Sequence, residues 1–286
     1  MSFLNPGVIA LLVTMLIWGL TYIGTKVALQ EFKPFTLTVL RLLIAWLVLS
    51  PFARREGYRL RDTWQPKSLA LGFTGVALFY TLQTLGVNYT SAASAALFQA
   101  GLPALTAFFA YLVLRERVNR LKIIGYVLSF LGVAVITVTG ASDSSQDSLL
   151  GNSLMLASLL AWVAYTLLGK RISTSYSATR ATTVTMGSGL IFLIPFGAIE
   201  LWANGLPQVS LPGWLALIYL ALGGSATAYF LWNYGLQRLD ANRASPFINL
   251  IPVIGLLGAW LWGEPVSLFQ LAGGSLAIVG VWLSNY

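Results

Sequence analysis

The side chains able to do chemistry in this sequence are aromatic rings and amides rather than acids, bases or nucleophiles. Tyr80, Gln83 and Thr84 fall at i, i+3 and i+4, a spacing that puts them on one face of a helix. Tyr229, Trp232 and Asn233 repeat that spacing later in the chain. Trp18, Tyr22, Phe98, Gln99, Trp162, Tyr165 and Asn249 also lie inside long apolar stretches. Rings and amides hold a solute by stacking and hydrogen bonding; they do not break its bonds. The chain contains no His and no Cys, and no Asp or Glu falls in the middle of an apolar stretch. The usual general base, the thiolate nucleophile and the commonest metal ligands are therefore missing. Only Ser–Lys chemistry could still be built, and no serine is well placed beside Lys26. These residues predict binding rather than catalysis, with no metal and no cofactor.

The elements that position them are membrane spans. Hydrophobic residues make up 57% of the 286-residue chain and charged residues 9%, against about 25% charge in a soluble domain. Such a surface faces lipid. About 20 apolar residues cross the hydrocarbon core as a helix, so the length accommodates about ten spans with short connections. Boundaries set by charge, Pro, Gly and Asn predict an all-α chain with spans near 6–29, 36–53, 67–87, 91–113, 120–139, 150–170, 178–201, 213–236, 242–262 and 267–285. The first of these reads as a retained helix and not as a cleaved leader, because it is long and lacks a basic start.

The net charge of +8 raises the question of a nucleic-acid partner, which the positions of the basic residues answer in the negative. Arg54, Arg55, Arg59, Arg61 and Lys67 follow the second span, and Arg115, Arg117, Arg120 and Lys122 follow the fourth. The connections after the sixth and eighth carry Lys170, Arg171, Arg180, Arg238 and Arg243. The alternate connections hold mainly acids: Glu31, Asp143, Asp147, Glu200 and Glu264. Basic residues accumulate in cytoplasmic loops, so both termini are expected in the cytoplasm and the bilayer itself is the large partner. Small-residue patches such as Gly187, Gly223-Gly224 and Gly273-Gly274 suit close helix packing, within one chain or between two. Monomer and homodimer both stay open.

The chain also repeats itself. Trp18 and Lys26 recur at the same spacing as Trp162 and Lys170. Without a gap, Tyr80 pairs with Tyr229, Gly86 with Gly235, Phe98 with Phe247 and Pro103 with Pro252. After a one-residue shift, Glu116 meets Glu264, Gly125 meets Gly273 and Gly132 meets Gly280. Residues 1–140 and 141–286 thus form two five-helix repeats. Five is odd, so the halves run through the membrane in opposite senses. Inverted repeats of this kind alternate access around a midplane site in secondary transporters.

A mid-helix Pro, an apolar run, a Glu at the helix end and then Gly-x6-Gly occur twice: Pro103, Glu116, Gly125 and Gly132, then Pro252, Glu264, Gly273 and Gly280. This pattern, with Trp18-Gly19 and Arg41, resembles the EamA repeat of the drug/metabolite transporter superfamily. The aromatic-rich spans are similar to those of the YddG-like amino-acid exporters. The resemblance implies a small-molecule substrate, export of aromatic or other neutral amino acids, and a multi-pass location in a bacterial inner membrane. Export of drugs or other metabolites and a channel-like facilitator are the alternatives.

Within this frame, Trp18, Tyr80, Gln83, Phe98, Gln99, Trp162, Tyr165, Tyr229, Trp232 and Asn249 are the expected cavity residues, since lipid-facing positions have no use for polar groups. Pro103 and Pro252 are expected hinges, because a mid-helix Pro leaves the carbonyl four residues back, Gln99 or Ile248, without its amide. Arg41, near the mouth of the second span, either snorkels outward or pairs with a substrate carboxylate or a helix end. Its counterpart Arg180 sits at a helix mouth rather than within a span. Glu116 and Glu264 are expected to organise opposite faces as gates. With no acid at depth, proton coupling through a carboxylate is disfavoured.

Overall fold

The computed structural model describes residues 6–114, 120–143, 148–171, 176–236, 238 and 245–284. Among these residues there are ten helical passes and no strand: α1 (Pro6–Ala28), α2 (Pro34–Arg55), α3 (Pro66–Asn88), α4 (92–114), α5 (Arg120–Asp143), α6 (Leu149–Arg171), α7 (Ala178–Asn204), α8 (211–236), α9 (245–261) and α10 (Leu268–Ser284). A short 3₁₀ turn, Leu60–Trp64, lies between α2 and α3. Glu116 lies outside the described residues.

Local chemistry explains the boundaries. Proline opens α2 and α3, at a position whose N–H would have no helical partner anyway. The turn expected around residues 88–90 is where α3 ends, and Ser91 then caps α4 by accepting the Ser94 amide at 3.1 Å. Gly263, at φ +94°, closes α9. The Gly263 amide then reaches the Trp260 carbonyl and the Glu264 amide reaches Ala259, both at 3.0 Å. That left-handed turn needs a glycine, and it aims the next side chain, Glu264, back into the protein.

The packing follows the inverted repeat. Helix α1 packs on α8 and α9, and α6 packs on α3 and α4, so each half lends its first helix to the other. Helices α2 and α7 pair, as do α5 and α10. The Gly-x6-Gly spacing is two helical turns and so marks one face. A Cβ on Gly132 would lie 2.5 Å from the Gly273 carbonyl, and one on Gly280 would lie 2.6 Å from the Gly125 carbonyl. The motif glycines of one half thus press against those of the other, letting the backbones of α5 and α10 touch. Gly187 fits against Trp46 and Thr63, and Gly274 against Leu97. These small-residue patches are taken up by contacts within the chain.

The outer surface carries large apolar side chains, such as Leu12 and Leu16 on α1 and Ile123, Val127 and Leu131 on α5. Buried positions instead include Thr14, Thr38, Thr84, Ser129, Ser158 and Ser188. Several return their hydroxyls to a carbonyl of the preceding turn, as Thr14 does to Ala10 at 2.8 Å. Such a bond satisfies a hydroxyl away from water; the buried Ser129 hydroxyl is an exception, with no partner among the described residues.

Candidate functional site

Helices α3 and α8 are both π-helical part-way along, over Phe73–Leu78 and Tyr219–Thr227. These are equivalent places in the two halves. A π segment loosens the hydrogen-bond ladder and often marks a functional site. Here it leaves the Gly224 carbonyl able to accept the Trp18 indole N–H at 3.0 Å. Beyond the two segments stand Tyr80 and Tyr229, paired by the repeat, with their hydroxyls 3.0 Å apart. The Trp18 ring lies 5.4 Å from Tyr229 and 5.7 Å from Trp232, while Trp162 lies 4.9 Å from Phe79.

Around this aromatic centre is a cavity of about 590 Å³. Of the expected residues, Trp18, Tyr80, Gln83, Gln99, Trp162, Tyr229, Trp232 and Asn249 line it, as do Arg41 and Pro103. Phe98 is fully buried in the packed core, and Tyr165 packs on Trp162 against the Gly75 backbone; neither lines the cavity. Pro252 is buried in α9, also away from it. Tyr22, Phe79, Thr106, Ala107, Ala110, Thr166 and Gly224 complete much of the wall. Thr106 and Ala110 share one helix face, and they make room through small size, a signal that polarity does not report.

The carbonyl expected to be free before Pro103 is not free. Residues Gln99–Gly101 tighten into a 3₁₀ turn, and the Leu102 amide takes the Gln99 carbonyl. The three-residue spacing of that turn supplies an amide the proline cannot. Helix α9 has a 3₁₀ turn, Ser245–Asn249, before Pro252. Helix α4 is therefore interrupted close to the cavity, and α9 opens on a 3₁₀ turn.

Arg41 does not snorkel. It lies two turns into α2, roughly 10 Å along the axis, is 3% exposed and faces inward. Lys26 is satisfied differently: its ammonium caps the end of α3 through the carbonyls of Thr90 at 2.6 Å and Val87 at 3.1 Å. Arg180, at the start of α7, pairs with Asp62 at 2.9 Å and covers the Tyr176 ring.

The acids of the described residues work at helix ends. Glu264 accepts the Ala92 and Ala93 amides, each at 3.1 Å. Glu200 accepts the Thr36 amide at 2.6 Å and its hydroxyl at 2.8 Å, and Glu31 accepts the Ser210 amide at 2.8 Å. Carboxylates suit helix N-termini, where amides are unpaired and the dipole is positive. All three contacts join one half to the other at the end where α4 begins. At the opposite end, Ser177 binds Glu56, and Asp62 receives the Arg59 amide and the Arg180 guanidinium. Burial alone would raise the Asp62 carboxyl, but the Arg59 amide and the Arg180 hydrogen bond and charge outweigh it and hold it below its ordinary value.

The sequence pattern of the EamA-like transporter family matches residues 5–138 and again residues 149–286. The chain belongs to that family. A transporter from Archaeoglobus fulgidus, described as uncharacterized, is 30% identical over 276 residues, covering 96% of this chain and 97% of its own length. A probable terminal-alkyne amino-acid exporter from Streptantibioticus cattleyicolor is 27% identical over 284 residues, covering 99% and 94%. A crystal structure with 20% identity superposes with a TM-score of 0.67, covering 98% of this chain and 97% of that one, and supports the fold. An EamA-like transporter is a membrane transport protein and not an enzyme, and each of the two family matches takes in five helical passes.

Proposed function

We propose that this EamA-like transporter exports amino acids with aromatic or other neutral side chains across a bacterial inner membrane by alternating access, with both termini in the cytoplasm. The observation that carries the reading is the cavity. It is built from both halves, walled by rings and amides, and large enough for one amino acid. It runs from Tyr22 and Arg41 toward Ala110 and Thr166, near the helix ends that adjoin the arginine-rich connections. If those connections are cytoplasmic, this is the state that loads from inside, as an exporter requires. The opposite end is tied by Glu31, Glu200 and Glu264, and no acid of the described residues lines the cavity. The amino-acid exporter among the relatives points to the same class of solute.

Counterflow in proteoliposomes tests this across amino acids, nucleosides and lipophilic cations, with and without imposed ion gradients. Saturable counterflow of phenylalanine, indifferent to a proton gradient, is the expected result. Preference for lipophilic cations or nucleosides would move the protein to the drug or metabolite alternatives. Flux without counterflow would make it a channel.

Pro103 and Pro252 act as hinges in this reading. Replacing both with alanine is expected to shift the balance of facing states, because each site regains a backbone amide and the 3₁₀ turn before it can relax into α-helix. The wild-type chain has no cysteine, so single cysteines at Thr106 in the cavity and Ala95 at the tied end report the shift by maleimide labelling. Unchanged rates at both sites would remove the hinge role.

A further inference from the structure

Arg41 carries a full charge inside a membrane span, and its surroundings do not neutralise it. Its Nε donates to the Ser225 hydroxyl at 3.1 Å, and its guanidinium carbon lies 4.9 Å from the centre of the Tyr80 ring. Those are one hydrogen bond to a neutral hydroxyl and one cation–π contact, neither of which brings a counter-charge. Among the described residues, no carboxylate reaches Arg41, and its four terminal N–H groups have no hydrogen-bond partner. Lys26 and Arg180, by contrast, are held by carbonyls and by Asp62. A buried charge without a partner is costly, and membrane proteins keep such groups where they meet solute or ion.

The geometry fixes the guanidinium in place. Gly224, in the π-helical stretch of α8, gives it room: a Cβ there would lie 3.3 Å from the Arg41 Nη2. The Ser225 hydroxyl takes the Nε–H of the fork. The remaining edge carries paired N–H donors in the spacing that matches two oxygens of one carboxylate. Gln99, also on the cavity wall and 5% exposed, has an amide nitrogen with no acceptor. Arg41 and Gln99 thus leave donor capacity on this wall.

We propose that Arg41 is the substrate-carboxylate site of the cavity, so that the protein selects solutes carrying one carboxylate and an apolar or aromatic body. The ammonium group of an amino acid is tolerated and is not the recognition element. This rests on the transport reading above and sharpens it, since it predicts acceptance of simple monocarboxylates and rejection of the matching amines.

The test uses three probes of one shape, phenylalanine, 3-phenylpropionate and phenethylamine, as inhibitors of phenylalanine counterflow by the full chain. Wild-type protein should be inhibited by 3-phenylpropionate within about tenfold of phenylalanine, and far more weakly by phenethylamine. Arg41→Gln should weaken both carboxylates by about 10- to 100-fold, the range for hydrogen bonds to charged groups, and leave the amine unchanged. Arg41→Lys should recover part of the loss. Ser225→Ala keeps the charge but frees the fork, and a several-fold loss confined to carboxylates is expected even if Arg41→Gln fails to fold. Equal inhibition by amine and carboxylate in wild type, or losses shared by all three probes, would overturn the assignment. If wild type carries no phenylalanine, the amino-acid reading fails. Quenching of tryptophan fluorescence by 3-phenylpropionate, in wild type and Ser225→Ala, then decides the Arg41 site by itself.

Discussion

Gly132→Leu is expected to leave almost no folded protein. Even a Cβ at this position would come within 2.5 Å of the Gly273 carbonyl and the Ala277 amide. Both are helix backbone atoms and cannot rotate aside. Overpacking a tight site costs about 1–3 kcal/mol when side chains can adjust, and more is expected here because α5 and α10 must move apart along the seam between the halves. Gly280→Leu should behave alike, as its Cβ would meet the Ser129 amide and the Gly125 carbonyl. Gly169→Ala is the control, since its added carbon would meet nothing within 4 Å. Size-exclusion yield and melting temperature in detergent measure the effect. A Gly132→Leu protein melting with wild type would show that α5 and α10 do not cross on these glycines.

Glu264→Ala should be the most damaging change among the carboxylates described. Its side chain is 8% exposed and serves two amides at the start of α4, in the other half of the chain. Without it those amides are buried and unpaired, a loss of about 3 kcal/mol for charge-assisted hydrogen bonds. Glu264→Gln keeps one acceptor oxygen and should lose less. Nearby, Gln270 donates to Ser94 at 2.8 Å, so the end of α4 is not held by Glu264 alone. The variant should therefore fold but open more readily at this end. A cysteine at Ala95, which is fully buried, should label faster with maleimide in Glu264→Ala than in the wild-type background. Equal rates would mean that Glu264 is not part of what keeps this end shut.

Ten spans were legible in the sequence because lipid imposes one pattern: about 20 apolar residues, then Pro, Gly or charge. The seam between halves was legible in part. The Gly-x6-Gly spacing showed that α5 and α10 each have a bare face, but only the fold shows those faces meeting. Tyr80 and Tyr229 could be paired by alignment, whereas their hydroxyl contact depends on how the halves dock. The candidate cavity was legible where it uses rings and amides. Thr106, Ala107 and Ala110 escaped notice because they contribute space. Phe98 and Tyr165 show the converse, since an aromatic residue in mid-span can simply fill the core. Arg41 was ambiguous because sequence gives depth along a helix more easily than direction, and two turns in from the mouth its side chain could have reached outward. Asp62 carried no mark in the sequence beyond being an acid among arginines, and its pairing with Arg180 joins the 3₁₀ turn after α2 to the start of α7, far apart in the chain.

The central claim is that one solute sits in the cavity between the halves. Thr106→Cys in the otherwise cysteine-free chain tests it most directly, because this residue lines the cavity wall and is small enough to change without blocking it. Its reaction with N-ethylmaleimide in membranes should slow several-fold when phenylalanine is added, with half-protection at the concentration that half-saturates counterflow. A rate that stays the same at saturating transported solute, in a protein that still transports, would place the binding site elsewhere.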